Sequence, residues 1–171
     1  LESVELSPEL LALIGNEPRL ARHLHLPLQS GSDTILRAMN RPYDTAAFAA
    51  LLERVRAAVP EAAITTDVIV GFPGETEELF RESMDFVSRM EFSRVHVFPY
   101  SRRKGTPAAR MPGQVPASVK KERVRLIEKA AEARAEELRR RELGRVDSVL
   151  FETREKGIAD GLTDRYLRVY T

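Results

Sequence analysis

Cysteine is missing from all 171 residues, which excludes disulfides, thiolate nucleophiles and thiolate-held metal within the chain. A surplus of one charge is missing too. Twenty-seven basic and 26 acidic residues leave a formal net charge of +1, so a nucleic-acid role would have to rest on local patches. No run approaches the roughly 18 apolar residues of a membrane span. No basic start followed by a short apolar core marks a signal peptide. The G-x-G-x-x-G and G-x-x-x-x-G-K patterns are absent, so neither dinucleotide nor P-loop phosphate binding follows. No low-complexity tract and no internal repeat beyond a strand–helix unit is present.

What is present alternates strand and helix. Residues 3–6 read as a short strand. Ser7 then suits a helix N-cap with Pro8 at the first position, and Leu10, Leu11, Leu13 and Ile14 give an apolar face. Residues 23–27 alternate as a strand does, and a short helix through Ile35, Leu36 and Met39 follows. Asp44 caps a longer helix carrying Phe48, Leu51, Leu52 and Val55, ended by Pro60. The β-branched run over 63–70 predicts a buried strand. Thr76 caps a helix with Leu79, Phe80, Met84, Val87 and Met90 inward, and residues 95–98 form the next strand. Four such units with short connections predict an α/β fold with a parallel sheet. Periodicity alone fits a segment of an α/β barrel or a doubly wound sheet. In both, ligands bind at the C-terminal strand ends, where the polar loops 29–32, 71–76 and 100–106 fall.

After Pro116 the pattern changes. A charged helix runs to about Leu143 with Val124, Ile127, Ala131, Ala135 and Leu138 at spacings of three and four. Residues 146–151, 158–159 and 166–170 then read as short strands with turns at Lys156-Gly157 and Thr163-Asp164. A chain that starts on Leu1 in a strand-like run and stops at Thr171 after another reads as a piece of a longer protein.

Several groups stand out chemically. Gln29, Ser30 and Ser32 offer an amide and two hydroxyls suited to sugar hydroxyls or a carboxylate, although Ser32 or Asp33 equally suits a helix-capping turn. Gly71 and Gly74 would let a ligand approach the backbone after a buried strand. Asp67 lies within an apolar strand, where a carboxylate needs an ion-pair partner or a cavity. Arg102, Arg103, Lys104 and Arg110 form a basic loop with no acid among them, fit for RNA phosphate or plain solvent. His23 and His25 share a strand face, but with His96 they are too few and scattered to define a metal site.

Four motifs in order go further. His23-Leu-His-Leu-Pro-Leu-Gln-Ser-Gly-Ser-Asp33, Met39-Asn-Arg-Pro-Tyr43, Asp67-Val-Ile-Val-Gly-Phe-Pro-Gly-Glu-Thr76 and Tyr100-Ser-Arg-Arg-Lys-Gly-Thr-Pro-Ala108 resemble those of the radical S-adenosylmethionine (SAM) methylthiotransferases. The run from Val97 to Met111 is most similar to the branch that modifies threonylcarbamoyladenosine beside the tRNA anticodon. The isopentenyladenosine-tRNA and ribosomal-protein branches are the alternatives within the family, and a non-catalytic RNA-binding module the alternative outside it. The resemblance implies a cytoplasmic protein without a membrane partner. It assigns residues 1–115 to the C-terminal part of a radical SAM (β/α) barrel, four parallel strands of an incomplete barrel. Residues 116–144 become a connecting helix, and 145–171 the beginning of a TRAM domain, an RNA-binding β-module.

The implied chemistry is addition of a methylthio group to carbon two of a modified adenosine in tRNA. It uses SAM and two 4Fe-4S clusters, one generating a 5′-deoxyadenosyl radical and one delivering sulfur. Carried over by motif position, Gln29 and Ser30 line the SAM ribose or methionine side, and Asp67 and Gly71 lie against SAM on the next strand. Phe98, Pro99 and Tyr100 border the adenine, while Arg41, Tyr43, Arg102, Arg103 and Lys104 are candidates for the substrate nucleotide. The cluster cysteines are absent, so they are expected upstream of Leu1, and the chain by itself is expected to hold no iron and to be inactive.

Overall fold

The computed structural model describes residues 6–171. The strand expected at 3–6 therefore lies outside the described residues, apart from Leu6, which is buried. Helix α1 (Pro8–Asn16) starts as its sequence requires, with Ser7 Oγ accepting from the Leu10 amide at 3.2 Å and Pro8 in the first turn. It buries Leu11 and Ile14, but Leu13 is 54% exposed. Leu13 sits two residues from Leu11, roughly 200° around the helix, and so faces away from the core.

Strands β1 (His23–His25), β2 (Ala63–Val70) and β3 (Arg94–Pro99) form a parallel sheet in chain order. Helices α2 (Asp33–Ala38) and α3 (Thr45–Ala58) connect the first pair, and α4 (Glu77–Arg89) the second. Asp44 caps α3 through the Ala47 amide, and Thr76 caps α4 through the Leu79 amide. Because side chains alternate along a strand, Ile64, Thr66, Val68 and Val70 of β2 point to one face and Thr65, Asp67 and Ile69 to the other. The first face carries the core: Leu24, Leu26, Leu28, Val68 and Val70 meet Phe48, Leu52, Val55, Phe80 and Ile127. Thr66, fully buried, donates to the Leu26 carbonyl at 2.7 Å and accepts from the Leu28 amide at 3.0 Å. That hydroxyl stitches the chain beyond β1 to β2. A sheet with sequential parallel order and its core on one face is the arrangement of a partial barrel, not of a sheet wound on both faces.

Helix α5 (Ala117–Arg140) lies across this unit. It ends three residues before the expected Leu143, and it buries Arg123, Ile127 and Ala135, with Val124, Ala131 and Leu138 half-buried. Strands β4 (Val149–Glu155), β5 (Ile158–Thr163) and β6 (Arg168–Tyr170) make a three-stranded antiparallel meander. Lys156 (φ 50°) and Gly157 (φ 86°) form its first hairpin turn, both left-handed as a two-residue hairpin prefers. The meander meets the parallel sheet through Tyr166, whose ring stacks on His23 with centroids 4.1 Å apart. Arg165 ties it to the end of α5 through Glu142 and Asp147, each at 2.6 Å. No helix among the described residues is long and apolar enough to cross a membrane.

Candidate functional site

The exposed ends of β2 and β3 open into a cavity of about 850 Å³. Gln29, Arg41, Asp67, Phe98, Pro99, Tyr100 and Arg103, all singled out from the sequence, line it together. Their convergence follows from sheet geometry. Asp67 pairs with His96, and Ile69 with Phe98, so these side chains share the face turned away from the core. Gln29 extends the edge beyond β1: its amide donates to the Asp67 carbonyl and its own carbonyl accepts from Ile69, both at 2.8 Å. It does so at φ 70°, and Asn40, on the same cavity, sits at φ 56°. Two non-glycine residues held left-handed at one cavity is the kind of stored strain that gathers at binding sites.

Asp67 has both of the surroundings its position allowed. It faces the cavity, and its Oδ2 lies 3.3 Å from His25 Nε2. His25 Nδ1 is in turn 3.0 Å from Thr65 Oγ1, and His96 meets the His25 ring edge-on at 5.9 Å. Burial lowers the pKa values of His23 and His96, helped by neighbouring His25 in both cases and by Arg94 for His96. His23 and His96 are therefore held toward their neutral forms on this face.

Five of the expected contact residues do not reach the cavity. Ser30 is fully buried and accepts from the Ser32 amide at 3.2 Å. Tyr43 donates toward the Pro27 and Leu28 carbonyls at 3.1 and 3.2 Å, with its ring against Phe48. Gly71 is not among the lining residues: a β-carbon there would lie 2.2 Å from Lys120 Cγ, so the glycine makes room for a side chain of α5 and permits φ 72°. Arg102 turns back, its Nε donating to the Ala109 carbonyl at 2.7 Å. With Lys104 it borders a separate hollow. The loop over 29–33 is also not a side-chain capping turn. Ser32 Oγ donates to Glu82 at 2.7 Å, and Asp33 accepts from the Thr45 amide at 2.8 Å. Gly31 is needed because Ser83 and Phe86 of α4 leave no space for a β-carbon.

Met39, Asn40, Ile69, Phe72, Thr106 and Met111, to which the sequence alone assigned no site role, also line the cavity. Alternation from Asp67 identifies Ile69; the others depend on how loops fold back. Two buried polar atoms at the cavity residues have no protein partner, Arg41 Nε and Tyr100 Oη. A polar ligand would satisfy groups that are otherwise costly to bury. Behind the cavity, Glu75 Oε1 accepts from the Gly71 amide and from Arg123 Nη1, both at 2.6 Å. Burial pushes the Glu75 carboxyl up, while the Gly71 N–H and Arg123 oppose that shift. Among the described residues no group of three or more His, Asp or Glu side chains is placed to hold a metal ion.

A one-sided β/α sheet with its cavity at the C-terminal strand ends places the protein in the class of β/α-barrel ligand-binding folds. The Escherichia coli coproporphyrinogen III oxidase HemN, described as a radical SAM enzyme, superposes on 76% of the chain and 31% of its own, with a TM-score of 0.61 at 21% identity. The Radical SAM superfamily model matches residues 2–87. The chain belongs to the radical SAM superfamily. It is 43% identical over 99% of its length to the threonylcarbamoyladenosine tRNA methylthiotransferase MtaB of Bacillus subtilis, spanning 39% of that protein. It is 44% identical over 94% of its length to the tRNA-2-methylthio-N(6)-dimethylallyladenosine synthase of Mycobacteroides abscessus, spanning 32% of that one.

Proposed function

We propose that this chain is the C-terminal barrel portion of a tRNA methylthiotransferase whose substrate is threonylcarbamoyladenosine. The observation that carries the reading is the shared cavity. The run from Val97 to Met111, the one most similar to the threonylcarbamoyladenosine branch, contributes Phe98, Pro99, Tyr100, Ser101 and Arg103 to the same space as Gln29 and Asp67. The residues present fit SAM, since Gln29, Asp67 and the unpartnered Tyr100 Oη offer polar partners beside the apolar Ile69, Phe72 and Phe98. They do not fit an iron–sulfur cluster, because the chain has no thiolate.

When bound, SAM supplies the radical chemistry of the superfamily. The chain's own residues then bind and orient. Gln29 and Asp67 take polar groups of SAM at the strand ends, and Phe98, Pro99 and Tyr100 border its adenine. Arg41 and Arg103 meet the substrate nucleotide in the same cavity. Ser30, Gly71 and Tyr43 act behind the site by shaping its loops. Residues 145–171 are read as the opening of a TRAM module that meets tRNA.

The test uses the full-length protein, reconstituted anaerobically with iron and sulfide. It is given tRNA bearing threonylcarbamoyladenosine, tRNA bearing dimethylallyladenosine, and ribosomal protein. Mass spectrometry should find a methylthio group on the first substrate only. The second reading, the dimethylallyladenosine reaction, has the support of relatives at comparable identity, and product on that tRNA alone would replace the first.

A further inference from the structure

Helix α5 contributes no residue to the cavity lining, yet two of its cations hold the loops that carry Phe72 and Tyr100 into it. Arg123 is 5% exposed. Its Nη1 donates to the Glu75 carboxylate at 2.6 Å and to the Glu75 carbonyl at 3.1 Å, and its guanidinium lies 5.0 Å over the Phe80 ring. Glu75 passes that restraint on, because the same Oε1 accepts from the Gly71 amide at 2.6 Å. One turn earlier, Lys120 lays its stem where a Gly71 β-carbon would be and donates Nζ to the Tyr100 carbonyl at 2.8 Å. Its ammonium is 5.8 Å from the Tyr100 ring centre, and that ring meets Phe72 edge-on at 5.2 Å. The Tyr100 amide is already bonded to the Val70 carbonyl at 2.8 Å, so Lys120 fixes the other side of the same residue. Phe72 and Tyr100 both line the cavity, while neither Lys120 nor Arg123 does.

We propose that Lys120 and Arg123 are positioning residues. They fix Phe72 and Tyr100 against each other, so that the cofactor and the target base are held at the separation hydrogen transfer needs. The inference rests on the reading of the cavity as the SAM and substrate site. Its physical basis is that small displacements of reacting partners cost far more in rate than in binding. A helix that serves only as a strut would affect stability and nothing else.

The experiment uses the full-length protein and the Lys120→Met variant, which keeps the stem over Gly71 and removes the ammonium. Lys120→Arg restores a cationic donor, and Arg123→Lys keeps a charge beside Glu75 if larger changes fail to fold. Two quantities are read: hydrogen–deuterium exchange of residues 71–75 and 99–103, and the ratio of SAM cleaved to methylthio product formed. Lys120→Met should speed exchange over 99–103 by about ten-fold. It should also raise SAM cleaved per product by about five-fold. KM values should stay near those of the parent, and Lys120→Arg should recover both effects. Unchanged exchange and an unchanged ratio would overturn the proposal, as would a lower melting temperature with the ratio intact. If the parent protein modifies no tRNA, the functional reading fails; exchange still decides whether Lys120 holds the rim.

Discussion

The loops that follow β2 and β3 leave neighbouring strands at the same edge of the sheet, and they are built in opposite ways. In the first, Gly71, Phe72, Pro73 and Glu75 are buried, and an ion pair between Glu75 and Arg123 closes it from behind. In the second, residues 101–105 are all exposed, and Arg103 and Lys104 have no acidic neighbour in the local sequence. Burial costs a charge several kcal/mol unless it is paired, so the first loop has its conformation imposed by the fold. The second keeps its charges hydrated and available. Stability and ligand binding should therefore separate between the two loops.

The largest expected effect tests the buried pair. Arg123→Met leaves the Glu75 carboxylate in the core without its cation, and removing one partner of such a pair costs about 3–5 kcal/mol. Urea unfolding at neutral pH measures the loss. Replacing Glu75 by Leu in the same chain should recover much of it, since two apolar groups leave no stranded charge; no recovery would mean that Arg123 contributes through its contact with Phe80 instead.

A second effect gives the sign of the pH dependence. Burial already pushes the Glu75 carboxyl above its ordinary 4.5, and only the Gly71 N–H and Arg123 hold it down. In Arg123→Met the upward push is less opposed. A carboxyl with a raised pKa binds its proton more tightly folded than unfolded, so stability falls as pH rises from about 4.5 through the folded value. The deficit of Arg123→Met relative to its parent should therefore shrink as the pH is brought from 7 toward 5. A deficit that is constant with pH would place the damage elsewhere.

A third comparison uses glycine on each loop. Gly71 (φ 72°) and Gly105 (φ 91°) are both left-handed, but only Gly71 is crowded, by the Lys120 stem. The left-handed conformation alone costs an alanine about 1–2 kcal/mol. Gly105→Ala should lose about that much. Gly71→Ala should lose more, because Lys120 must also be displaced. Equal melting temperatures for the two variants would show that the stem moves aside freely.

How much of this was legible in the sequence depends on how local its cause is. The caps at Ser7, Asp44 and Thr76, the strand at β2 and the Lys156-Gly157 turn follow from neighbouring residues, and the structure has them where local chemistry puts them. Seven of the candidate contacts share one cavity because strand-end loops of a parallel sheet converge. Gly71 and Tyr43 lie outside that cavity because their surroundings are tertiary, an α5 side chain and two carbonyls of the chain beyond β1, while Ser30 is turned inward onto the Ser32 amide. Arg123 was invisible for the same reason. On a helix dense in Arg, Lys and Glu nothing local distinguishes the one cation that is buried beneath a loop 48 residues away.

The smallest effect on stability should accompany a clear effect on binding. Arg102, Arg103 and Lys104 first read as one basic loop, but Arg102 is bonded to the Ala109 carbonyl and has a share in holding the loop together. The clean variant is therefore Arg103→Ala with Lys104→Ala in the full-length protein. Both side chains are exposed, so the melting temperature should move by no more than about two degrees. If the two cations meet RNA phosphate, affinity for tRNA should fall, and the slope of log affinity against log salt should flatten by about one to two. Discrimination between modified nucleosides should change little, because phosphate contacts position RNA without reading its bases. Affinity across a salt series, measured beside thermal unfolding, separates the outcomes. An unchanged slope would make these two residues solvated surface and leave Arg41 as the cavity's contact to the nucleotide. A large fall in melting temperature would place the second loop with the first, as a part of the fold and not of the substrate site.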